Sequence, residues 1–167
     1  MTLLELWPFA AIRRNHALEH ATIHIIAARQ PSVQLLGRSD WAGFTLFGAL
    51  DTDEVSRAVR EAKDRLCAGE SALAVHSHCG TNLATGMVLA GLTSYGALRG
   101  KRRPGILRVI MLVFGLFLTF LLARPLGAML QRRVTTSADL TGLHVVDVRR
   151  LEQGSVVAHR IDTLREA

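Results

Sequence analysis

The sequence predicts an α+β fold: a small mixed α/β domain interrupted by a two-helix transmembrane hairpin, with a C-terminal β-hairpin completing the sheet. Three observations predict this class. Helix-like and strand-like periodicities alternate through residues 1–81, two long apolar runs follow within 82–124, and two alternating segments lie within 125–167. We take these ranges as an N-terminal α/β part with metal-binding motifs, a membrane hairpin, and a C-terminal surface helix with a β-hairpin.

The first expected element is a helix from about Pro8 to Arg29. Proline suits the first turn of a helix, and Pro31 prevents the helix from continuing. The apolar segment before this helix predicts one of two things. It is either an interfacial segment, with Trp7 at the level of lipid headgroups, or a strap packed on the domain.

This helix carries an H-x-x-E-H pattern formed by His16, Glu19 and His20. Two residues four apart lie on the same helical face, so both imidazoles can bind one metal ion. The glutamate borders this face, as in inverted zincins, where it activates water for hydrolysis. Because the pattern is short, a polar surface helix is the alternative. His24 continues the stripe, and we expect it in the core or behind the ligands.

Two strands are expected next, at residues 33–36 and 43–50, because these apolar stretches flank six residues rich in turn formers. Asp51 or Thr52 then caps a second helix. Its apolar residues recur at helical spacing, and Gly69 ends it.

A short buried strand at residues 72–75 is expected to present a second ligand cluster at its end. The cluster reads His-Ser-His-Cys at 76–79. Imidazole and thiolate together suit zinc best among the common metals. His76 and Cys79 are therefore candidate zinc ligands beside the two helical histidines, and His78 is an additional candidate.

Two apolar runs, residues 83–98 and 106–123, predict the transmembrane hairpin. The first run has no charge, and the second contains only Arg108, which can extend toward the membrane surface. A basic turn with Pro104 and Gly105 joins them. A soluble core helix is the alternative for either run taken alone. The pair favours two membrane spans, and the small residues of the first run allow close helix packing.

Arg124-Pro125 is expected to close the second span, with a short surface helix at residues 126–134 after it. Residues 143–150 and 155–161 then alternate apolar and polar side chains around a Gln153-Gly154 turn. They predict a β-hairpin. Because an isolated hairpin is only marginally stable, we expect it to join the sheet formed by the N-terminal strands.

The composition narrows the class of protein. Hydrophobic residues make up 49% of the 167 residues, and the net charge is +6. Basic charge is typical of nucleic-acid binding, but aromatic residues are only 5% and no stacking motif is present, so no nucleic-acid partner is expected. The basic residues instead flank the apolar runs, as in a membrane protein whose partner is the lipid bilayer. The two cysteines provide no disulfide framework.

Two sequence blocks resemble those of an uncharacterised family of small bacterial membrane proteins: H-A-L-E-H-A-T-I at 16–23 and H-S-H-C-G-T-N at 76–82. Both are also similar to blocks of a larger bacterial membrane family described as predicted metal-dependent enzymes. The patterns of that family are H-G-A-E-H, H-P-x-C-G-T-S and L-Q-x-x-T-T. The stretch L-Q-R-R-V-T-T at 130–136 resembles the third, with one extra residue before the threonines.

The resemblance implies a shared fold and a shared set of polar residues. His78 falls where the larger family varies. Insulinase-type peptidases share H-x-x-E-H but take a downstream glutamate as third ligand, whereas the next strong candidate here is a histidine. The residues that match the recurring polar positions of the family are His16, Glu19, His20, His76 and Cys79.

Two functions from different classes are consistent with these residues. The first is a membrane-bound, zinc-dependent hydrolase with Glu19 as general base. Its substrate would be membrane-associated, such as a lipid-linked molecule or a membrane-protein segment. The second is a non-catalytic scaffold or assembly factor, in which His16, His20, His76 and Cys79 close a structural zinc site. A closed structural site does not need the glutamate, which favours the hydrolase.

We expect the protein in the bacterial inner membrane with two spans. The turn at 99–103 holds four basic residues and the other flank holds three, so the positive-inside rule alone would keep the turn in the cytoplasm. That arrangement would export the N-terminal part without a signal sequence. A thiolate ligand at Cys79 also suits a reducing compartment. We therefore favour a cytoplasmic domain and an outward-facing turn.

Overall fold

A four-stranded antiparallel sheet in the order β1-β2-β4-β3 underlies the structure. The computed structural model describes residues 3–100, 105–153 and 156–165, so Gly154 of the predicted turn lies outside the described residues. Strand β4 pairs with both β2 and β3, which confirms that the C-terminal hairpin completes the sheet. The strands are β1 Leu36–Asp40, β2 Gly43–Phe47, β3 Leu143–Gln153 and β4 Val156–Arg165.

Four α-helices accompany the sheet in the described part of the chain, so the α+β class is confirmed. The second helix begins where predicted because the carboxylate of Asp51 accepts hydrogen bonds from the backbone N–H groups of Asp53 and Glu54. The helices are α1 Phe9–Arg29, α2 Thr52–Cys67, α3 Gly80–Leu98 and α4 Ile106–Leu130.

The hydrophobic core lies between the sheet and the first two helices. Helix α1 packs on β1 and β2, while α2 packs on α1 and β3. Each large apolar side chain buried there contributes about 1.5–3 kcal/mol relative to full exposure. The fully buried members include Leu18 and Ile26 of α1, Val59 of α2, Phe44 of β2 and Ile161 of β4.

The chain divides into two compact units. The sheet unit comprises Met1–His76 and Arg132–Ala167, and the helical unit comprises Ser77–Gln131. Within the helical unit, α3 and α4 approach closely at Gly86, where a Cβ atom would lie 3.4 Å from the Cβ of Ala123. The hydroxyl oxygens of Thr93 and Thr119 also lie 3.2 Å apart. The two apolar runs therefore pack on each other as predicted, and small residues make the contact where the start of α3 meets the end of α4.

One helical segment among the described residues, Ile106–Thr135, is long and apolar enough to cross a membrane. Its apolar side chains are exposed, as shown by Phe120 at 77%. Helix α3 is shorter, and glycine, threonine and serine lower its hydropathy. The structure thus supports one candidate span, where the sequence predicted two.

The predicted strand at residues 72–75 is wrong. Residues Ser71–Ala74 form a 3₁₀ turn in which the N–H of Leu73 donates to the carbonyl of Glu70 at 3.1 Å. Alanine has little preference for strands, and a four-residue run without a pairing partner gains no ladder hydrogen bonds. The histidine that follows is therefore placed by a turn, and not by the end of a strand.

The first strand is also displaced from its predicted range. Turn chemistry was expected over residues 37–42, but strand β1 continues to Asp40 and only Trp41-Ala42 forms the turn. Pairing with β2 supplies the reason, because Gly37 lies opposite Leu46 and Ser39 opposite Phe44 in the ladder. Cross-strand hydrogen bonds here outweigh the weak strand propensities of glycine and serine.

The predicted break at Pro125 is wrong as well. Helix α4 continues through this proline to Leu130, and a π-helical turn at Gln131–Thr135 extends it. A proline removes one backbone donor but does not end a helix whose other residues remain good helix formers, as membrane helices commonly show. The separate surface helix expected at 126–134 is therefore the last part of α4 and its π turn.

Candidate metal centre

Three histidines line one face of α1 at intervals of four residues. They are His16, His20 and His24, and the helix that carries them is buried along about half of its length. The rings of His16 and His20 lie with centroids 4.3 Å apart at 61°. His20 is only 1% exposed, which places its imidazole in the interior of the sheet unit. The predicted i, i+4 pair is thus formed.

A backbone carbonyl fixes each of these imidazoles. A carbonyl can only accept a hydrogen bond, so the ring nitrogen that contacts it carries the proton. In a neutral imidazole the other nitrogen then has the lone pair that a metal ligand needs, and the hydrogen bond orients the ring. The pairs are His16 Nδ1 with Thr135 O at 3.0 Å, His20 Nδ1 with Ala74 O at 2.8 Å, and His24 Nε2 with Val75 O at 2.9 Å.

The same hydrogen bonds decide which ring nitrogen of each histidine remains available to bind a metal ion. His16 and His20 bond the carbonyls through Nδ1, so both present Nε2. His24 bonds through Nε2 and presents Nδ1. These carbonyl partners could not be identified from the sequence, because they belong to the end of the 3₁₀ turn, to the residue after it, and to the π turn that follows α4.

His76 joins this group from the second residue after the 3₁₀ turn. Its ring centroid lies 5.7 Å from that of His20 and 4.9 Å from that of His24. The end of the turn therefore contributes twice. The carbonyls of Ala74 and of the C-cap Val75 orient two helical histidines, and the next residue provides a fourth imidazole. His24, expected in the core or behind the ligands, lies directly beside His76.

Cys79 and His78 follow His76 by three and two residues. Three residues span at most about 11 Å, so the chain itself keeps Cys79 within that distance of His76. His16 and His20, both in the sheet unit, are the histidines of a group that could hold a metal ion, whereas Cys79 belongs to the helical unit. His78, by contrast, is exposed, and its Nδ1 lies 3.0 Å from the hydroxyl of Ser77.

Glu19 is buried between α1 and β1. The hydroxyl of Ser39 donates a hydrogen bond to its carboxylate at 2.5 Å. Burial raises the pKa of Glu19, while the bond from Ser39 and the nearby charge of His16 act in the opposite direction. Gly37 makes this arrangement possible, because a Cβ atom there would lie 2.1 Å from Oε1 of Glu19. Neither β1 residue was identified from the sequence, which had assigned both to a turn.

Buried Asn15 sets the rotation of α1 about its axis. Its amide nitrogen donates to the carbonyl of Asp40 at 2.9 Å, and its amide oxygen accepts from the hydroxyl of Thr163 at 2.7 Å. Both bonds are made in the interior, where an unsatisfied amide is costly. One polar residue therefore ties the helix to both β1 and β4 and helps to define the direction in which the histidine face points.

A cleft of about 690 Å³ opens beside the 3₁₀ turn. Alanines and Val75 form its apolar part, and Arg132 brings a positive charge to it. The wall that includes Ala74 and Val75 is the same backbone that bonds His20 and His24. The full lining is Ser71, Ala72, Ala74, Val75, Arg132, Thr136 and Ala138.

Comparison with known proteins identifies a family and a relative. A family described as "Domain of unknown function (DUF6391)" matches residues 11–148. An uncharacterized protein of Picosynechococcus sp. (strain ATCC 27264 / PCC 7002 / PR-6) is 33% identical over 138 residues, which cover 77% of this chain and 67% of that protein. No solved structure matches the chain. The family match includes α1 from its third residue onward and the 76–79 cluster.

Proposed function

Because the chain belongs to the family described as "Domain of unknown function (DUF6391)", which names no activity, we propose its function from the chemistry of the histidine site. The proposed protein is a membrane-bound, zinc-dependent hydrolase that acts on a membrane-associated substrate. The carbonyl bonds that fix His16 and His20 beside buried Glu19 are the observation that supports it. The resemblance to predicted metal-dependent membrane enzymes is part of this proposal.

The donor set fits zinc. Two imidazoles present Nε2 from one helical face, and either His76 or Cys79 is the proposed third ligand. Oriented imidazoles with a further nitrogen or sulfur donor match the ligands that catalytic zinc takes, with one position left for water. A zinc ion bound there would supply Lewis acidity and lower the pKa of that water.

Glu19 is the proposed general base. Its carboxylate lies in the interior, where burial raises its pKa above that of a free glutamate, and a carboxylate with a raised pKa is a better proton acceptor. Ser39 holds one carboxylate oxygen and so fixes the direction of the other. Glu19 would take a proton from the attacking water and return it to the leaving group.

The cleft beside the 3₁₀ turn is the proposed substrate site. Its apolar lining suits an acyl or other apolar segment, and Arg132 suits a phosphate or carboxylate. We further propose that α3 spans the membrane together with α4, since a lipid-linked molecule reaches the site most easily from the bilayer. The bilayer would then be both the partner of the helical unit and the source of substrate.

A structural zinc site in a scaffold or assembly factor is the second candidate. Glu19 packs so closely on Gly37 that its carboxylate has little freedom to move. A carboxylate held in this way suits a supporting role at a closed site with four ligands, His16, His20, His76 and Cys79. Activity distinguishes the two candidates, because only the hydrolase needs Glu19 as a proton acceptor.

Metal content and activity test both candidates. Protein purified in mild detergent without chelators is expected to hold about one zinc ion per chain, as coordination by one such ligand set requires. His20→Ala should lose the ion, whereas the control His78→Ala should keep it. Glu19→Gln should keep the ion and lose hydrolysis of lipid-linked phosphate and membrane-peptide substrates. Metal-free wild-type protein excludes both candidates, and an inactive wild type with bound zinc favours the scaffold.

We also propose a cytoplasmic location for the sheet unit. The proposal rests on the thiolate ligand at Cys79, which suits a reducing compartment. The basic residues at 101–103, which favour the opposite orientation by the positive-inside rule, lie outside the described residues. The exposed native Cys67 on α2 and an introduced Lys101→Cys provide the two probes. In intact cells, a membrane-impermeant thiol reagent should label position 101 and not Cys67. Labelling of Cys67 alone would reverse the orientation.

A further inference from the structure

The sheet unit carries an exposed cluster of large apolar side chains that its core does not use. The cluster, which we call the tryptophan patch, contains both tryptophans of the chain. Trp7 is 72% exposed and Trp41 is 58% exposed, and their rings pack edge to face with centroids 6.0 Å apart. Large aromatic residues grouped on a surface mark an interaction site. The patch comprises Leu3, Leu6, Trp7, Phe9 and Trp41.

Two separate segments build the patch. One is the short segment before α1 together with the first residue of that helix, and the other is the two-residue turn between β1 and β2. Trp41 lies in this turn, as its sequence predicts. Its indole is exposed there and does not contribute to the hydrophobic core. The contact between the two indoles therefore joins both segments into one exposed apolar surface.

Arg13 attaches the first segment to the residues that leave α4. Its guanidinium donates to the carbonyl of Leu4 at 3.3 Å, to that of Arg133 at 3.3 Å and to that of Thr136 at 3.1 Å. Arg133 follows Leu130, the last residue of α4, by three residues. The patch is thus held, within the sheet unit, to the stretch of chain that directly continues the candidate membrane span.

We infer that the tryptophan patch inserts into the headgroup layer of the bilayer that α4 enters, and that this layer contains anionic phospholipid. Indole rings prefer this layer because one part of the ring is apolar and the N–H remains hydrated. Arg132 and Arg133 lie in the stretch whose carbonyls Arg13 bonds, and both are exposed, so they supply positive charge for anionic headgroups. The patch would hold the histidine site at the membrane surface.

The two native tryptophans provide a direct test, because their fluorescence reports only on the patch. The full chain is reconstituted in vesicles of phosphatidylcholine and phosphatidylglycerol whose acyl chains are brominated either near the headgroup or near the chain end. We expect blue-shifted emission, stronger quenching by the bromines near the headgroup, and protection from aqueous acrylamide. Emission typical of hydrated indole, with full access to acrylamide and no lipid quenching, would overturn the inference.

Variants assign the signal and exclude a second copy of the chain as the occupant. Trp7→Phe and Trp41→Phe should each leave a lipid-quenched indole. Arg13→Gln should reduce quenching of Trp7 in the Trp41→Phe background while sparing Trp41 in the Trp7→Phe background. Acrylamide protection without lipid quenching, lost when the protein is diluted in lipid, would mean self-association and defeat the inference. Zinc content should not change in the tryptophan variants, so this test is independent of the metal site.

Discussion

Helices α1 and α4 reverse the usual relation between apolar composition and burial. Of the 21 residues in α1, 11 are buried, and they include Asn15, Glu19 and His20. Of the 25 residues in the strongly apolar α4, only Gly127 is buried. The helix that carries polar and ionisable groups is therefore inside a protein core, and the helix made of leucine, phenylalanine and valine is exposed.

The difference shows where each unit obtains its stability. In the sheet unit, apolar burial is combined with hydrogen bonds to every buried polar group named on α1, so protein atoms alone satisfy the helix. In the helical unit, the exposed side chains of α4 need an apolar surrounding that the described residues do not supply. A chemical site belongs in the first environment, where fixed partners orient side chains and burial alters pKa values.

The largest expected difference comes from the same substitution in each unit. Phe44→Ala removes a fully buried ring of β2 and should lower the free energy of unfolding by about 3–5 kcal/mol. Phe120→Ala removes a ring that is 77% exposed on α4 and should change it by less than about 0.5 kcal/mol. Denaturant unfolding in mild detergent, followed by tryptophan emission, measures both. Equal losses would mean that α4 contributes to the same core.

A smaller effect is expected from two glycines. The Cβ of Gly37→Ala would lie 2.1 Å from Oε1 and 2.6 Å from Cγ of Glu19, so the carboxylate must move away from Ser39. We expect Gly37→Ala to lower the free energy of unfolding by about 1–2 kcal/mol. The control Gly96→Ala in α3 meets no atom within 4 Å and should be neutral or gain up to about 1 kcal/mol from helix propensity. The unfolding transition reports both, and an unchanged Gly37→Ala would show that Glu19 is free to rotate.

Local rules predicted much of this fold from the sequence. The apolar periodicity and flanking prolines defined α1, the Asp51 cap defined the start of α2, and alternation defined the C-terminal hairpin. These signals depend on residues near each other in the chain. The four-residue spacing of His16 and His20 belongs to the same class, so the helical pair was predictable too.

The remaining features depend on contacts between distant residues. Ser39 lies in a stretch with turn composition and becomes a strand residue only through its pairing with β2. The carbonyls of Ala74 and Thr135 carry no side-chain signature, so the sequence could not indicate that they orient histidines. Pro125 was expected to end a helix, and the surrounding apolar residues of α4 kept it helical.

The smallest expected effect concerns acid. Asp40 accepts two hydrogen bonds from the guanidinium of Arg160, at 2.6 and 2.9 Å, and these lower the pKa of its carboxyl below the usual value. The folded pKa is then below the unfolded pKa of about 3.9. The bond therefore stabilises the fold fully above the unfolded pKa, and this contribution is lost as the pH falls through the folded pKa.

The two helices of the helical unit contain no aspartate or glutamate, so acid should act first on the sheet unit. The wild-type protein should have a higher free energy of unfolding than Asp40→Asn, and this difference should disappear as the pH is lowered from about 5 through the folded pKa. Because Asp40 is half-exposed, solvent screening limits that difference to about 1 kcal/mol. Denaturant midpoints of both proteins across this range, with exposed Asp64→Asn as the control for net charge, measure it. A constant difference would show that the carboxylate gains nothing from Arg160, and an earlier acid response of the α3–α4 helical signal would contradict the contrast between the units.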